Sequence, residues 1–463
     1  MTLKTAENEA GARLLEHKTL RAEAFILPII ILIICTIYIL SPVTTSTDSA
    51  WTFHVAASIL QQHNINLDEY RHLMDLQVEY RVREVDGHTY SYYPLATPLL
   101  VAPVVWLVNT AYPLVYPTDF YTYLAQHAPD SRTAKLEKLV ASGIAALAAA
   151  MIYLIARREL TIAKSLIIAL VFAFATSMWS TASRALWQHG PSALFLSVAL
   201  YLLLGIRERP RAVFWIGMIL GFSYLIRPTN SLAVALVGLY LLLNFPRQVW
   251  LYVLGAGVIL VPYVFQNWLT YGNLLPPYSY QLFERLATPK IFAEGLAGTL
   301  MSPGRGLFIF TPVFLFSIYG AYLRLHNKLS LTNMDLYLAG IVLLHWVITS
   351  LFEDWGGAWS IGPRYFVDMI PFLVYFLIPV FENSLQFKPL TQYAFAASIL
   401  VSTLIQWHCA TSIYPFMWNG KPQALVEAPN RKWDWGDLQF LRGLCGNDPL
   451  EGRAPACWIA HRD

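Results

Sequence analysis

AFILPIIILIICTIYILSPVTTSTDS, residues 24–49, decides how this chain is read. The run Ala24 to Leu40 carries no charged side chain. It is long enough to cross a bilayer core as one helix. A few residues later stands Asp48, at the mouth of a long polar stretch. One carboxylate is thereby placed just outside a membrane surface. The preceding residues 1–23 form a mixed-charge tail with Lys4, Arg13, Lys18 and Arg21. The apolar run has no small-residue cleavage site, so it reads as a signal anchor and not as a removed leader.

The composition agrees. Of 463 residues, 56% are hydrophobic and only 13% charged, against about 25% charged in a soluble domain. Apolar runs recur, with almost no charge inside them, and this means several transmembrane helices. The net charge of +3 suggests no nucleic-acid partner; its distribution between loops matters more. Cys35 lies in the first span and Cys409 at the end of the last. Cys445 and Cys457 lie close together near the C-terminus. If that tail is exoplasmic they are either two free thiols or a disulfide worth about 3 kcal/mol. Their spacing does not suggest zinc.

Spans are expected near 24–41, 139–156, 162–179, 190–206, 212–226, 230–244, 249–266, 306–323, 334–351, 365–381 and 391–408. The connections after alternate spans are basic: Arg157-Arg158, Arg207/Arg209/Arg211, Arg247, Arg324/Lys328 and Lys388. With the N-terminal tail they mark one cytoplasmic set. Leu95 to Val108 is apolar but short, with Pro98 and Pro103 inside it. A crossing there would flip every later basic loop outward, so it is expected to lie in the interface or to re-enter. The first exoplasmic loop then runs from about 42 to 138 and includes the amphipathic stretch Trp51–Leu60. The expected fold is an all-α polytopic membrane protein of about eleven transmembrane helices. It divides into a cytoplasmic tail (1–23), a membrane domain (24–408) and an exoplasmic tail (409–463) that covers the site or binds an acceptor.

The inner connections are short and repetitive, as topology determinants are. The outer loops are long and varied, which places any chemistry outside. Four outer stretches stand out: Thr47-Asp48-Ser49; Tyr92-Tyr93-Pro-Leu-Ala-Thr-Pro-Leu-Leu100; Ser302-Pro-Gly-Arg305-Gly-Leu-Phe308; and Trp355-Gly-Gly-Ala-Trp-Ser-Ile-Gly-Pro-Arg364. In order and topology they resemble the GT-C superfamily of membrane glycosyltransferases, in the bacterial branch related to protein O-mannosyltransferases and the lipid A aminoarabinose transferase. The resemblance covers roughly 24–408. It implies a GT-C-like fold, a bacterial inner membrane, and transfer of a sugar from a polyprenyl-phosphate carrier to an acceptor glycan, lipid or protein at the outer face, with inversion.

Each expected role has a plain alternative. Asp48 matches the family's first-loop aspartate and is the expected base; it would otherwise be the N-cap of a surface helix beginning near Ser49. Arg364 is the first candidate for the leaving phosphate, since a guanidinium grips phosphate through two parallel bonds. Gly362 and Pro363 before it would let a head group approach closely. Its alternative is an interfacial arginine at a helix end. Arg305, Arg227 and Arg184 are further phosphate candidates. His189 stands where related enzymes often carry an acid, which puts a second catalytic carboxylate in doubt. His189, Glu353, Asp354, Trp355, Tyr92 and Tyr93 are candidates for substrate contact. No metal-ligand cluster stands out, so no cofactor is assigned and a divalent metal has no support in the sequence. Two rival functions remain: a lipid or glycolipid transporter, which would place ionisable groups at the bilayer midplane, and an O-antigen-type ligase or polymerase, which takes a diphosphate-linked donor and would not require Asp48.

Overall fold

The computed structural model describes residues 23–279, 286, 288–326 and 328–444. Cys445 and Cys457, and with them the expected disulfide, lie outside the described residues. The chain forms a bundle of apolar helices whose ends are fixed by polar contacts. Helix α1 (Glu23–Leu40) lies beside α5 (Ser131–Ala156). Arg157 Nε meets Glu23 at 3.1 Å, and Lys138 Nζ donates to the Ser41 carbonyl at 3.0 Å. The two helices are therefore antiparallel, and residues 41 and 138 share one end, called here the loop end.

Between α1 and α5 the chain builds a separate layer. It holds α2 (Thr52–Gln61), the hairpin β1 (Val82–Val85) and β2 (His88–Ser91), α3 (Ala96–Ala111) and α4 (Phe120–Gln126). The hairpin departs from the expected all-α fold. Val85 pairs with His88, leaving Asp86-Gly87 as a two-residue turn with φ of 50° and 82°. Asp-Gly is the dipeptide such a turn favours. The layer has its own core, in which Trp51, Phe53, Val101, Val105, Phe120 and Leu124 meet Ala141 and Ile144 of α5. Ala96 packs against Ile226 and Tyr263, and Tyr112 at the far end of α3 packs on Phe120 and Tyr123. By length and composition Ala96–Leu114 qualifies to cross a membrane. Both of its ends nevertheless sit in the loop layer, and the chain returns to the end it left.

The remaining helices are α6 (Ile162–Phe174), α7 (His189–Leu204), α8 (Ala212–Ile226), α9 (Ser231–Asn244), α10 (Val249–Tyr271), α11 (Pro289–Met301), α12 (Phe314–Leu325), α13 (Met334–Ser350), α14 (Ile370–Tyr375), α15 (Ile378–Asn383) and α16 (Pro389–Thr411). At the opposite end Arg324 Nη2 pairs with Glu159 at 2.8 Å and Lys164 Nζ donates to the Phe381 carbonyl at 2.8 Å. Among the described residues five helices are long and apolar enough to cross a membrane, or six if the bent segment through α14 and α15 is one span. Several expected spans are shorter or broken. The span expected at 162–179 ends as an α-helix at Phe174 and resumes as a wide turn over Met178–Ala182. The one expected at 306–323 is split at Thr311-Pro312, where proline removes a backbone donor. The one expected at 365–381 bends by 41°.

After α16 the chain folds back over the loop end. Residues 412–444 form short turns around buried Trp418, Asn419, Gln439 and Arg442.

Candidate active site

A cavity of about 1070 Å³ lies between the loop layer, the bundle's loop end and the C-terminal segment. Ten of the eleven candidate residues line it: Asp48, Arg364, Arg305, Arg227, His189, Glu353, Asp354, Trp355, Tyr92 and Tyr93. Arg184 does not.

Asp48 and Arg364 are 316 residues apart in sequence and touch in space. Arg364 Nη1 donates to Asp48 Oδ2 at 3.0 Å, and the Tyr80 hydroxyl donates to Asp48 Oδ1 at 3.3 Å. Asp48 does not cap α2: the residue before that helix is Trp51, and no side-chain cap bond is made. The carboxylate faces the cavity instead. The segment carrying it is anchored from below. Ser46 and Ser49 donate to Glu137 of α5 at 2.8 and 2.5 Å, and Glu137 is wholly buried. Around Asp48 the phenols resist ionisation. Burial and then the charge of Asp48 push the Tyr80 pKa up to about 12, and the same two causes push Tyr93 far above the usual range. Both remain neutral donors.

Arg364 leaves hydrogen-bonding capacity unused. Its Nε is buried without an acceptor, and so are two other polar atoms of the same wall, Thr47 Oγ1 and Trp187 Nε1. The guanidinium lies over the Trp187 ring, 4.9 Å from the centroid. A buried donor without a partner is costly, and a row of them beside a cavity is a cradle for an anion's oxygens. The glycine before it has a different reason from the one expected. Gly362 sits at φ +56°, and a Cβ there would stand 2.7 Å from the Phe310 ring. It serves the turn and its packing, not the approach of a head group.

A second cation stands behind the first. Arg227 Nε pairs with Asp368 Oδ2 at 3.0 Å, and its Nη1 bonds the His189 ring. His189 Nδ1 lies 3.7 Å from Asp368 Oδ1. Asp368 is entirely buried and is not among the residues that the sequence singled out. It fixes a guanidinium and an imidazole on the cavity wall.

Three expectations are corrected. Arg184 directs its guanidinium at the carbonyls of Tyr38 (2.6 Å) and Ser41 (3.0 Å), where it ties the end of α1 to the Met178–Ala182 turn. It is buried away from the cavity lining. Arg305 touches the cavity wall, but all its donors are occupied: Gly356 O (2.6 Å), Gly304 O (2.9 Å), Gln439 Oε1 (2.7 Å), Ala358 O (3.0 Å) and Asn419 Oδ1 (2.5 Å). It braces the C-terminal segment. Trp355 is 2% exposed, with Lys432 Nζ 4.3 Å from its ring centroid. The open indole of this stretch is Trp359, 46% exposed on the cavity wall. Glu353 and Asp354 keep positions from which they can reach a ligand. Among the described residues no group of three metal-ligating side chains gathers.

The chain is similar to three solved structures of the oligosaccharyltransferase AglB of the archaeon Archaeoglobus fulgidus. With the apo form the TM-score is 0.48 at 11% identity; with the form tethered to an acceptor peptide it is 0.45 at 11%. With the complex of an inhibitory peptide and a dolichol-phosphate it is 0.45 at 13%. These matches cover 92–93% of this chain, which spans 60–62% of the length of those structures. No family model and no curated protein sequence matches the chain.

Proposed function

We propose that this chain is an inverting glycosyltransferase of GT-C type, crossing a bacterial inner membrane eleven times with the loop end outside. Its donor is a hexose or pentose on a polyprenyl phosphate, and its acceptor is a hydroxyl of a glycan, lipid or protein. The observation that carries the reading is the Asp48–Arg364 contact of 3.0 Å on the wall of the large cavity. It joins a carboxylate and a partly unsatisfied guanidinium where both can reach one ligand. The antiparallel path of α1 and α5, with the basic connections at 157–158 and 324 at the far end, supports the sidedness.

In this reading the acceptor oxygen attacks the anomeric carbon while its proton passes to Asp48. The bond from that carbon to the phosphate oxygen breaks, and its electron pair leaves with the phosphate. Arg364 moves from its resting contact with Asp48 to the phosphate, and Arg227 faces the same developing charge. Tyr92, Tyr93, Glu353 and Asp354 border the sugar. Purified protein given a radiolabelled polyprenyl-phosphate sugar should transfer it, and Asp48→Asn should lower kcat by about 10²–10⁴. A correctly folded Asp48→Asn with full activity would overturn the assignment.

The buried Asp368–Arg227 pair gives the transporter reading its one specific support, since buried ions mark transport paths. That pair stands at the loop end beside the cavity, which favours surface chemistry. Lipid flux in vesicles without any sugar transfer would reverse the choice.

A further inference from the structure

A narrow side slot opens off the large cavity beside Asp48. It is lined by Val55, Ile65 and Leu95 on the loop layer, and by Tyr263, Asn267 and Tyr271 of α10. Tyr92, Tyr93, Pro98 and Tyr278 line both spaces, so the two are continuous. The slot holds about 30 Å³, so an occupant must part its walls.

Its chemistry is that of tyrosine rings set edge to face. Tyr92 meets Tyr93 at 5.5 Å and Tyr278 at 5.5 Å, and Tyr90 meets Tyr271 at 5.6 Å. Several polar tips are already engaged. The Tyr278 hydroxyl reaches Gln188 Oε1 at 3.4 Å, and Asn267 Nδ2 donates to the Leu274 carbonyl at 3.2 Å. What remains toward the slot is ring face, proline and aliphatic side chain. Helices that wall the slot also carry exposed apolar side chains. On α10 Val261, Phe265, Trp268 and Leu269 point outward, and on α3 Trp106 and Leu107 do the same. The slot thus adjoins the cavity that holds the Asp48–Arg364 pair and is walled by helices that carry exposed apolar side chains.

Resting on the function proposed above, we infer that this slot is where the donor's isoprenoid tail leaves the site. The phosphate must reach Arg364 while the tail stays among lipid chains. A methyl-branched, alkene-rich chain gains apolar contact along ring faces at about 25 cal/mol per Å² buried. The large cavity's other walls are mixed, carrying Arg81, Glu294, Glu353, Asp354 and Lys432 beside Ile291, Phe352, Leu425 and Val426.

The test uses the whole protein in nanodiscs and two probes, undecaprenyl phosphate and tail-less methyl phosphate, the latter read by competition. Leu95→Trp and Ile65→Trp place bulk in the slot without touching the large cavity's lining. Each should weaken undecaprenyl phosphate by about tenfold, roughly the apolar contact of a few buried methylenes, and leave methyl phosphate unchanged. The unchanged probe also certifies a folded site. A diazirine-tailed undecaprenyl phosphate should label α10 between Tyr263 and Tyr271 in the parent protein. Undecaprenyl phosphate binding that survives both tryptophans, or equal loss of both probes, overturns the slot and leaves the enzyme standing. Equal labelling by a diazirine phosphatidylglycerol does so too. Failure of both probes to bind the parent protein removes the enzyme and the slot together.

Discussion

Arg364 and Arg305 look alike in sequence: each follows a Pro/Gly turn and precedes an apolar segment. In the fold they are opposites. Every donor of Arg305 meets an acceptor, and its guanidinium lies 5.2 Å from the Trp418 ring centroid within a closed knot with Asn419 and Gln439. Arg364 has Asp48, two aromatic rings and a donor without an acceptor, and it faces a cavity. The lesson is that satisfaction, not position, separates a bracing arginine from a binding one. Burial pulls the Arg305 pKa down, yet its five acceptors demand the charged form. A site that must hold a phosphate keeps donors in reserve.

The contrast predicts two different failures. Arg305→Met should strip donors from at least two buried side-chain acceptors, Gln439 Oε1 and Asn419 Oδ1. Breaking one partner of such a buried network costs about 3–5 kcal/mol. Thermal unfolding of the purified protein should show a large fall in Tm, with activity per folded molecule nearly kept below it. Loss of transfer at unchanged Tm would show that Arg305 binds substrate after all. Arg364→Ala should do the reverse. Hydrogen bonds to charged groups contribute about 1.5–3 kcal/mol, so donor affinity should fall about 10–100-fold. Its contact with Asp48 is partly open to solvent, the side chains being 11% and 25% exposed. Its stability cost should stay at about 1–3 kcal/mol, below that of Arg305→Met. Arg364→Ala impairing acceptor use more than donor use would break the assignment.

Much of the architecture was legible. The first apolar run, the basic connections and the parity of Leu95–Val108 were enough to place Asp48, Arg227, His189 and Arg364 at one end of the bundle. Local signals found the cavity's rim because charge within apolar segments is rare, so a charged group at a segment's edge is informative. What stayed hidden was pairing over long separations. The partners of Arg305 lie 51 to 134 residues away, apart from the adjacent Gly304. Trp355, a candidate for substrate contact, is buried, with Lys432 of the C-terminal segment over its ring. Asp368 and Glu137 were invisible for a related reason: each sits at the end of an apolar segment, where an acid is expected to be solvated. The hairpin had a readable signal in Asp86-Gly87 between Val-Arg-Glu-Val and His-Thr-Tyr-Ser, outweighed by the longer apolar segments on either side.

Glu137 sharpens the same comparison, since it braces the binding side as Arg305 braces the C-terminal segment. Its two oxygens receive Ser46 and Ser49. Glu137→Ala orphans both hydroxyls and should cost about 1–3 kcal/mol of stability. It should also lower kcat by about tenfold through a displaced Asp48, with donor affinity unchanged because Arg364 is held elsewhere. Equal losses in kcat and donor affinity would mean that Glu137 supports the whole wall and not the base alone.

The smallest effect separates the two phenols around Asp48. Tyr80 is 51% exposed, and its hydroxyl reaches Oδ1 at a long 3.3 Å. Removing so exposed a contact with Tyr80→Phe frees one lone pair of Asp48 to water and should change kcat by less than about threefold, below 1 kcal/mol. Tyr93 is more enclosed, bounds both the cavity and its side slot, and owes its raised pKa to burial and to Asp48. Tyr93→Phe keeps the ring that lines the slot and removes only the hydroxyl. Undecaprenyl phosphate affinity should therefore hold while kcat falls by about three- to tenfold, the effect of one hydrogen bond in a partly dry site. If Tyr80→Phe is the more damaging of the two, the carboxylate works from its solvent side, and the acceptor enters past the hairpin and not from the enclosed wall.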